Sequence, residues 1–230
     1  MSVNRRFVLK GMALSSMAGL TMGSWVGALS GTTARPIANA AGRPILALIN
    51  EGAAESVFLD GAMAASSSRL QVQRAGRDLG FMLNFERQLR SGPPLRVIGL
   101  LDDASAALMV DMARSAGARV QWLGQHTAEA GFTRHHLLTT DIAAGCSRQF
   151  SRQLHACGAG FSLDEEHHGG PLVPRQLTGS ARRGNQSAQW AASIGYLLAS
   201  LGAHPALTTP WAPTAGKPVT GSFVSFSIEV

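Results

Sequence analysis

The chain has 230 residues, a formal net charge of +6, and 45% hydrophobic against 15% charged residues. Four of its twenty basic residues, Arg5, Arg6, Lys10 and Arg35, fall in the first forty positions, and all fourteen acidic residues come later. From residue 41 onward sixteen basic groups meet fourteen acidic ones, a net of +2; with no stripe of arginines interleaved with aromatics, that balance excludes a basic nucleic-acid binder. A stretch of this length is one ordinary domain with a core of its own, and no internal repeat divides it.

At the start, Asn4-Arg5-Arg6-Phe7-Val8-Leu9-Lys10 precede an apolar stretch from Gly11 to Leu29. A positive start, a short apolar run and a small-residue cleavage site are the three parts of a secretory signal. The pair Arg5-Arg6 followed by Leu9-Lys10 resembles the twin-arginine export motif, Ser/Thr-Arg-Arg-x-Phe-Leu-Lys, with Asn4 in place of the Ser/Thr and Val8 in place of the Phe. The resemblance implies that the folded chain is carried by the twin-arginine translocase across a bacterial inner membrane into the periplasm. Ala38-Asn39-Ala40 fits the cleavage pattern, so residues 1–40 read as signal and 41–230 as a single domain; Thr32-Thr33-Ala34 is a second cleavage candidate. The alternative is an uncleaved anchor facing the periplasm, since Gly11 to Leu29 is about long enough to span a bilayer. Ser15, Ser16, Gly19, Thr21, Gly23, Ser24 and Gly27 dilute that span, and no second apolar run of spanning length follows.

After the signal, Pro44 to Ile49 reads as a first strand, followed by a long helix with Val72, Ala75, Leu79, Met82, Leu83 and Leu89 on one face. Leu95 to Leu101 is a β-rich run introduced by Pro93-Pro94. Asp102-Asp103 then open a helix whose apolar positions Leu108, Met109, Met112, Ala113 and Ala116 keep helical spacing. Gly117 stops it, and Ala118 to Leu123 is the next strand, giving a strand–helix–strand unit expected to be parallel. His135 to Thr140 is a further strand, leading to a helix from about Ala143 to Cys157. Asn185 to Leu201 carries one apolar stripe of Trp190, Ala191, Ile194, Leu197, Leu198 and Leu201, closed by Gly202 and His204-Pro205. Val224, Phe226, Ile228 and Val230 alternate with Ser225, Ser227 and Glu229, the pattern of a half-buried strand at a sheet edge. Together these elements predict an α/β fold: a three-layer sandwich around a mostly parallel, Rossmann-like sheet with a C-terminal edge strand.

An exported protein with two cysteines invites a disulfide. Cys146, Phe150, Leu154 and Cys157 nevertheless share one helical face. A continuous helix holds those sulfurs about 16 Å apart along its axis, whereas a disulfide needs Cα atoms within about 7 Å. Reduced core cysteines are expected, unless Gly145 starts the helix late and frees Cys146. Neither lies in a CxxC or CxxCH motif.

In open parallel sheets, ligands bind beyond the carboxyl ends of the strands. Those ends are read as Asn50-Glu51-Gly52, Asp102-Asp103, Gln125-His126 and Thr140-Asp141, groups able to bind a hydroxyl, an amine or a cation. Asp102, Asp103 and Asp141 serve equally as helix N-caps. The segment Asp164-Glu165-Glu166-His167-His168 is the densest run of metal-ligand types; a solvated acidic loop is the alternative, and His135, His136 and His155 are partners only if the fold brings them near. Gly179 to Gly184, with Arg182 and Arg183, leads into a helix N-terminus and suits a carboxylate or phosphate. No GxSxG elbow, nucleotide-binding glycine fingerprint or cofactor motif is present.

Two functional classes remain. One is a non-catalytic periplasmic protein, either an accessory subunit with a protein partner or a small-molecule binder. The other is a small periplasmic hydrolase using Asp102, Asp103, His126 and Asp141 as acid, base or metal ligands at the rim. An envelope structural protein is disfavoured by the lack of repeats, heptads or a barrel pattern.

Overall fold

The computed structural model describes residues 43–50, 52–66, 70–168, 170, 174–181, 188–202 and 219–230. The export-signal positions Arg5, Arg6, Leu9, Lys10, Ala38 and Ala40 lie outside the described residues, as do Glu51, Arg182 and Arg183. The elements run β1 (Ile45–Ile49), α1 (Ala53–Ser66), β2 (Leu70–Arg74), α2 (Leu79–Ser91), β3 (Arg96–Leu101), α3 (Asp103–Ser115), β4 (Arg119–Glu129) and β5 (Phe132–Thr139). A 3-10 turn (Asp141–Ala143), α4 (Cys146–Ala156), β6 (Gly160–His167), β7 (Arg175–Gly179), α5 (Gln189–Ala199) and β8 (Gly221–Glu229) follow. All belong to one compact unit. No described helix is long and apolar enough to cross a membrane.

The eight strands form one sheet in the order β2-β1-β3-β8-β4-β5-β6-β7. β1 pairs in parallel with β2 and β3, as does β5 with β6, while β3–β8, β4–β8, β4–β5 and β6–β7 are antiparallel. The α/β class is therefore correct, but the sheet is mixed rather than mostly parallel and is not Rossmann-like. Two features produce the difference. Glu129 and Phe132 are paired across a tight hairpin closed by Gly131, whose φ of 80° favours glycine, so β5 returns beside β4. The C-terminal strand β8 then inserts between β3 and β4, instead of lying at an edge.

The alternation in β8 has a physical meaning that an edge strand would not give it. Val224, Phe226 and Ile228 join Leu46, Leu48, Val97 and Leu101 beneath α2 and α3, a cluster completed by Phe85, Leu89, Met109 and Ala113. Ser225, Ser227 and Glu229 are equally buried on the other face, where α1, α4 and α5 cover Ile45, Ala47, Ile98, Leu100, Trp122, Leu137, Phe161 and Leu163. Every residue of α5 from Gln189 to Ala199 is buried, as expected of a helix that is apolar all round. Along β2-β1-β3-β8 the fold thus has three layers. Farther along the sheet, Arg134, His136 and Gln176 are exposed, a solvated face common in antiparallel sheets.

Several local expectations change as well. Val72 lies in β2 and not on the helix that holds Leu79 and Leu83, and all three are exposed. The predicted long helix is really a strand, a loop and a shorter helix capped by Asp78, whose side chain accepts from Phe81 N at 2.9 Å. β4 is longer than expected and carries a bulge between Val120 and Trp122. Because of it, Val120 and Leu123 pack toward α3 while Trp122 and His126 point to the opposite face. Gly117 ends α3 at φ 83°, as its position predicts. The helix over Cys146–Ala156 is continuous, with the two free thiols at its opposite ends.

Candidate functional site

The chain leaves β1 for α1 on one face of the sheet and leaves β3 for α3 on the other. Between these neighbouring parallel strands the connections diverge, and such a divergence opens a crevice at the carboxyl ends of the strands. Asn50 follows β1 and Asp102 follows β3, and Asn50 Nδ2 donates to Asp102 Oδ2 across the opening at 2.7 Å. Arg77 enters from the loop between β2 and α2, which is tied to β1 by Ala75 N donating to Ile49 O at 2.9 Å. Its Nη2 donates to both Asp102 oxygens at 2.9 and 3.0 Å, and its Nε to Ser105 Oγ at 3.2 Å.

Asp102 is also the N-cap of α3. Its Oδ1 accepts from the backbone N–H groups of Ala104 and Ser105 at 3.1 and 3.0 Å, and its Oδ2 from the Ser105 hydroxyl at 2.7 Å. Burial alone would raise the Asp102 carboxyl, but the donors of Ser105, the Asn50 amide and the Arg77 guanidinium outweigh it and hold it at about 2. This carboxylate stays ionised and is fixed in place, so it can orient a partner but is a poor proton carrier. Asp103 stands in the first turn of α3.

Beside them lies Glu55 in the first turn of α1, only 6% exposed. Burial pushes its carboxyl up, a backbone N–H bond opposes the rise, and the Asp102 charge adds to it. Two carboxyls with values driven apart therefore share one crevice. Removing the cap tests this description: Asp102→Ala is expected to lose about 1–2 kcal/mol of stability. Asp102→Asn, which keeps cap acceptors, should lose less. Urea unfolding of the two variants at pH 7 measures the difference.

The four predicted strand ends do not converge. β5 runs antiparallel to β4, so Thr140 and Asp141 emerge at the opposite end of the sheet. There Thr140 Oγ1 donates to Gln121 Oε1 at 2.6 Å, serving the β4 bulge. Asp141 Oδ1 lies 3.0 Å from His167 Nε2. Behind them the buried Glu165 accepts from Ser147 Oγ at 2.6 Å and Thr139 Oγ1 at 3.1 Å, and Arg175 stands 3.7 Å away. Burial, helped by the Glu165 charge, pushes the adjacent Cys146 thiol up to about 11, so it is not a nucleophilic thiolate.

His126 is no rim residue either. The extra length of β4 places it inside the strand, where it is 0% exposed. Its Nδ1 lies 2.8 Å from His135 Nδ1, and its Nε2 lies 2.7 Å from Ser225 Oγ. Burial lowers His126 to about 3, and burial with repulsion from His126 lowers His135 well below its ordinary value.

The acidic segment is strand β6 rather than a loop, and its alternation disperses the proposed metal ligands. Asp164 pairs with His136 on the solvated face, and Glu166 on that same face lies 3.6 Å from His136. Glu165 and His167 point to the other side, and His168, in an exposed turn, bonds Thr139 O through its backbone at 2.8 Å. Among the described residues no group of three or more His, Cys, Asp or Glu side chains is arranged to hold a metal ion.

Arg77, Ser105 and Glu55 were not singled out by the sequence. Arg77 was hidden because β2 and α2 read as one helix, although Asp78 three residues before Phe81 is a cap signal. His135 was named only as a possible metal partner; its burial could have been read from Thr133, Leu137 and Thr139 at two-residue spacing, opposite the charged Arg134. No family model matches the chain, and no curated protein or solved structure is similar to it.

Proposed function

We propose that the protein is a non-catalytic binder of a small polar molecule carrying hydroxyl or amino groups, seated in the crevice between the ends of β1 and β3. The observation that carries this reading is the Asn50–Asp102–Arg77 set, in which Asp102 is held ionised by fixed donors where the parallel neighbours β1 and β3 diverge. Asp102, whose oxygens these donors already fill, supplies fixed charge and holds Asn50 and Arg77 in place, and the remaining polar atoms of those two side chains are the ones that would meet a ligand. A thermal-shift screen against polyols, amino acids and polyamines tests it. A ligand at a hundred times its Kd adds about 2.7 kcal/mol of stability. Arg77→Ala and Asn50→Ala, which touch no core, should abolish that gain while changing the unliganded protein little. A gain that survives both substitutions would remove the crevice as the site.

One observation favours a second reading, a hydrolase. Glu55 is raised while Asp102 is depressed, the divergence that separates a general acid from an ionised partner. In that case Glu55→Gln should abolish turnover yet leave ligand-induced stabilisation intact. His126 and Asp141 take no part in it.

The working place proposed is the periplasm, reached through the twin-arginine translocase on the strength of Arg5-Arg6 and Leu9-Lys10, with cleavage after Ala40. Changing both Arg5 and Arg6 to lysine is expected to leave the uncleaved chain in the cytoplasm. Normal export of that double variant would refute this route. A periplasmic protein partner, as an accessory subunit would have, is compatible with the same crevice.

A further inference from the structure

One proton order uses every hydrogen bond of the buried histidine pair, whereas the reverse order leaves the bond from Thr133 Oγ1 to Gly160 O unmade. Trp122 Nε1 donates to Ser225 Oγ at 2.9 Å, so the serine hydroxyl is free to donate to His126 Nε2 at 2.7 Å. His126 then donates from Nδ1 to His135 Nδ1 at 2.8 Å. His135 donates from Nε2 to Thr133 Oγ1 at 2.9 Å, and the threonine hydroxyl passes its own proton to Gly160 O at 3.5 Å. Each proton is used once and each ring nitrogen is engaged. The chain links β4, β5, β6 and β8, and its rings pack edge or tilted against Trp190 of α5 and Phe150 of α4.

We propose that the ring-to-ring contact of His126 and His135 is an acid-sensitive latch, closing α4 and α5 onto β4, β5 and β8 at neutral pH and releasing them in mild acid. An added proton has no place in the chain. On His135 Nδ1 it sets two N–H groups against each other, and on His126 Nε2 it leaves the Ser225 hydroxyl without its acceptor. Among the described residues no charged group touches the pair to compensate. On the same face β4 presents Trp122, Gly124 and Ala128, and β5 presents Thr133, Leu137 and Thr139. β6 presents Glu165 one register step beyond Leu163, engaged by Ser147, Thr139 and Arg175, and then His167 with Asp141. β8 presents Glu229, engaged by Arg96. α4 offers the thiol of Cys146 and an exposed His155 set edge-on to Phe161, and α5 offers Tyr196 alone among titratable groups.

The sign follows from linkage. A histidine depressed in the folded state takes up its proton on unfolding, so stability is lost as pH falls below about 6.5, the ordinary histidine value. Each such histidine multiplies the unfolding constant by up to about tenfold per pH unit. Glu55, raised in the folded state, acts in the opposite sense at lower pH, while Asp102 loses its contribution only as pH falls from about 4 toward 2.

The experiment is urea unfolding of the full protein between pH 7 and 5, alongside His135→Gln and the double variant His126→Gln/His135→Gln. Wild type should show a rise in the unfolding constant of between about tenfold and a hundredfold per pH unit below 6.5, flattened in either variant that folds. Hydrogen exchange at pH 5.5 should quicken at Phe150, Leu154, Trp190 and Ile194 before Met109 and Ala113. Ring nitrogen NMR of wild type, which needs no variant, should show His126 protonated at Nδ1 and His135 at Nε2. Normal titration of either ring in the folded protein, the reverse tautomers, or an unchanged slope in the variants would overturn the latch.

Discussion

Replacing Arg96 by methionine is expected to cost about 3–5 kcal/mol, because it strands a buried carboxylate. Arg96 is 2% exposed on β3, directly opposite Glu229 of β8, which is 6% exposed. The two side chains meet at 3.0 Å, and Arg96 Nη1 also donates to Leu201 O at 2.5 Å beyond the end of α5. Arg43 at 3.8 Å and Gln121 Nε2 at 3.5 Å complete the surroundings of Glu229 but are too distant to replace a direct guanidinium. The substitution therefore loosens β3, β8 and α5 together. Replacing both partners, Arg96→Met with Glu229→Leu, should recover most of the loss, since a buried pair is itself close to neutral against apolar residues of similar size. Urea unfolding of the two single variants and the double one closes the cycle. A single-variant loss below 1 kcal/mol would show that water reaches Glu229.

The second large effect is at the crossing of α1 and α5. A Cβ added at Gly195 would fall on the Phe58 carbonyl oxygen, and one added at Gly61 on the Ala192 carbonyl oxygen. The two helices meet backbone to backbone, flanked by Ala54, Ala62, Ala191 and Ala199. Alanine inside a helix normally stabilises by about 1 kcal/mol over glycine. Here Gly195→Ala should instead destabilise by about 3 kcal/mol, since the helices must separate and unpack α5 from the sheet. Thermal unfolding measures this, with a fall of several degrees for a domain of this size. A rise in Tm would mean that α1 is free to shift.

Local signals were legible where one short segment carries the whole cause. The strand–helix–strand run from Leu95 to Leu123 is evident from periodicity and the caps Asp102 and Gly117, and the stripe of α5 is equally plain. The place of β8 was not, because Ser225, Ser227 and Glu229 resemble a solvent-facing row. The burial of Ser225 and Glu229 depends on Trp122, His126 and Arg96, partners about a hundred residues away or more. β6 was missed for the same reason, since Asp164-Glu165-Glu166 reads as a loop until Ser147, Thr139 and Arg175 are seen around Glu165. Half of the expected rim followed from β1 and β3, whose ends are local. The other half failed with the hairpin at Gly131, which reverses β5 and sends Asp141 to the far end. His126 failed because β4 runs on past Leu123 to Glu129.

Whether the crevice between β1 and β3 takes the proposed ligand is the central question, and amide chemical-shift mapping answers it most directly. The 15N-labelled protein is titrated with the compound that most raises its melting temperature among the polyols, amino acids and polyamines. Shifts are expected to group at Asn50, Gly52, Arg77 and Asp102 to Ser105, and to be lost in Arg77→Ala. Shifts centred instead on Asp141 and His167, or on the solvated face around His136 and Glu166, would contradict it.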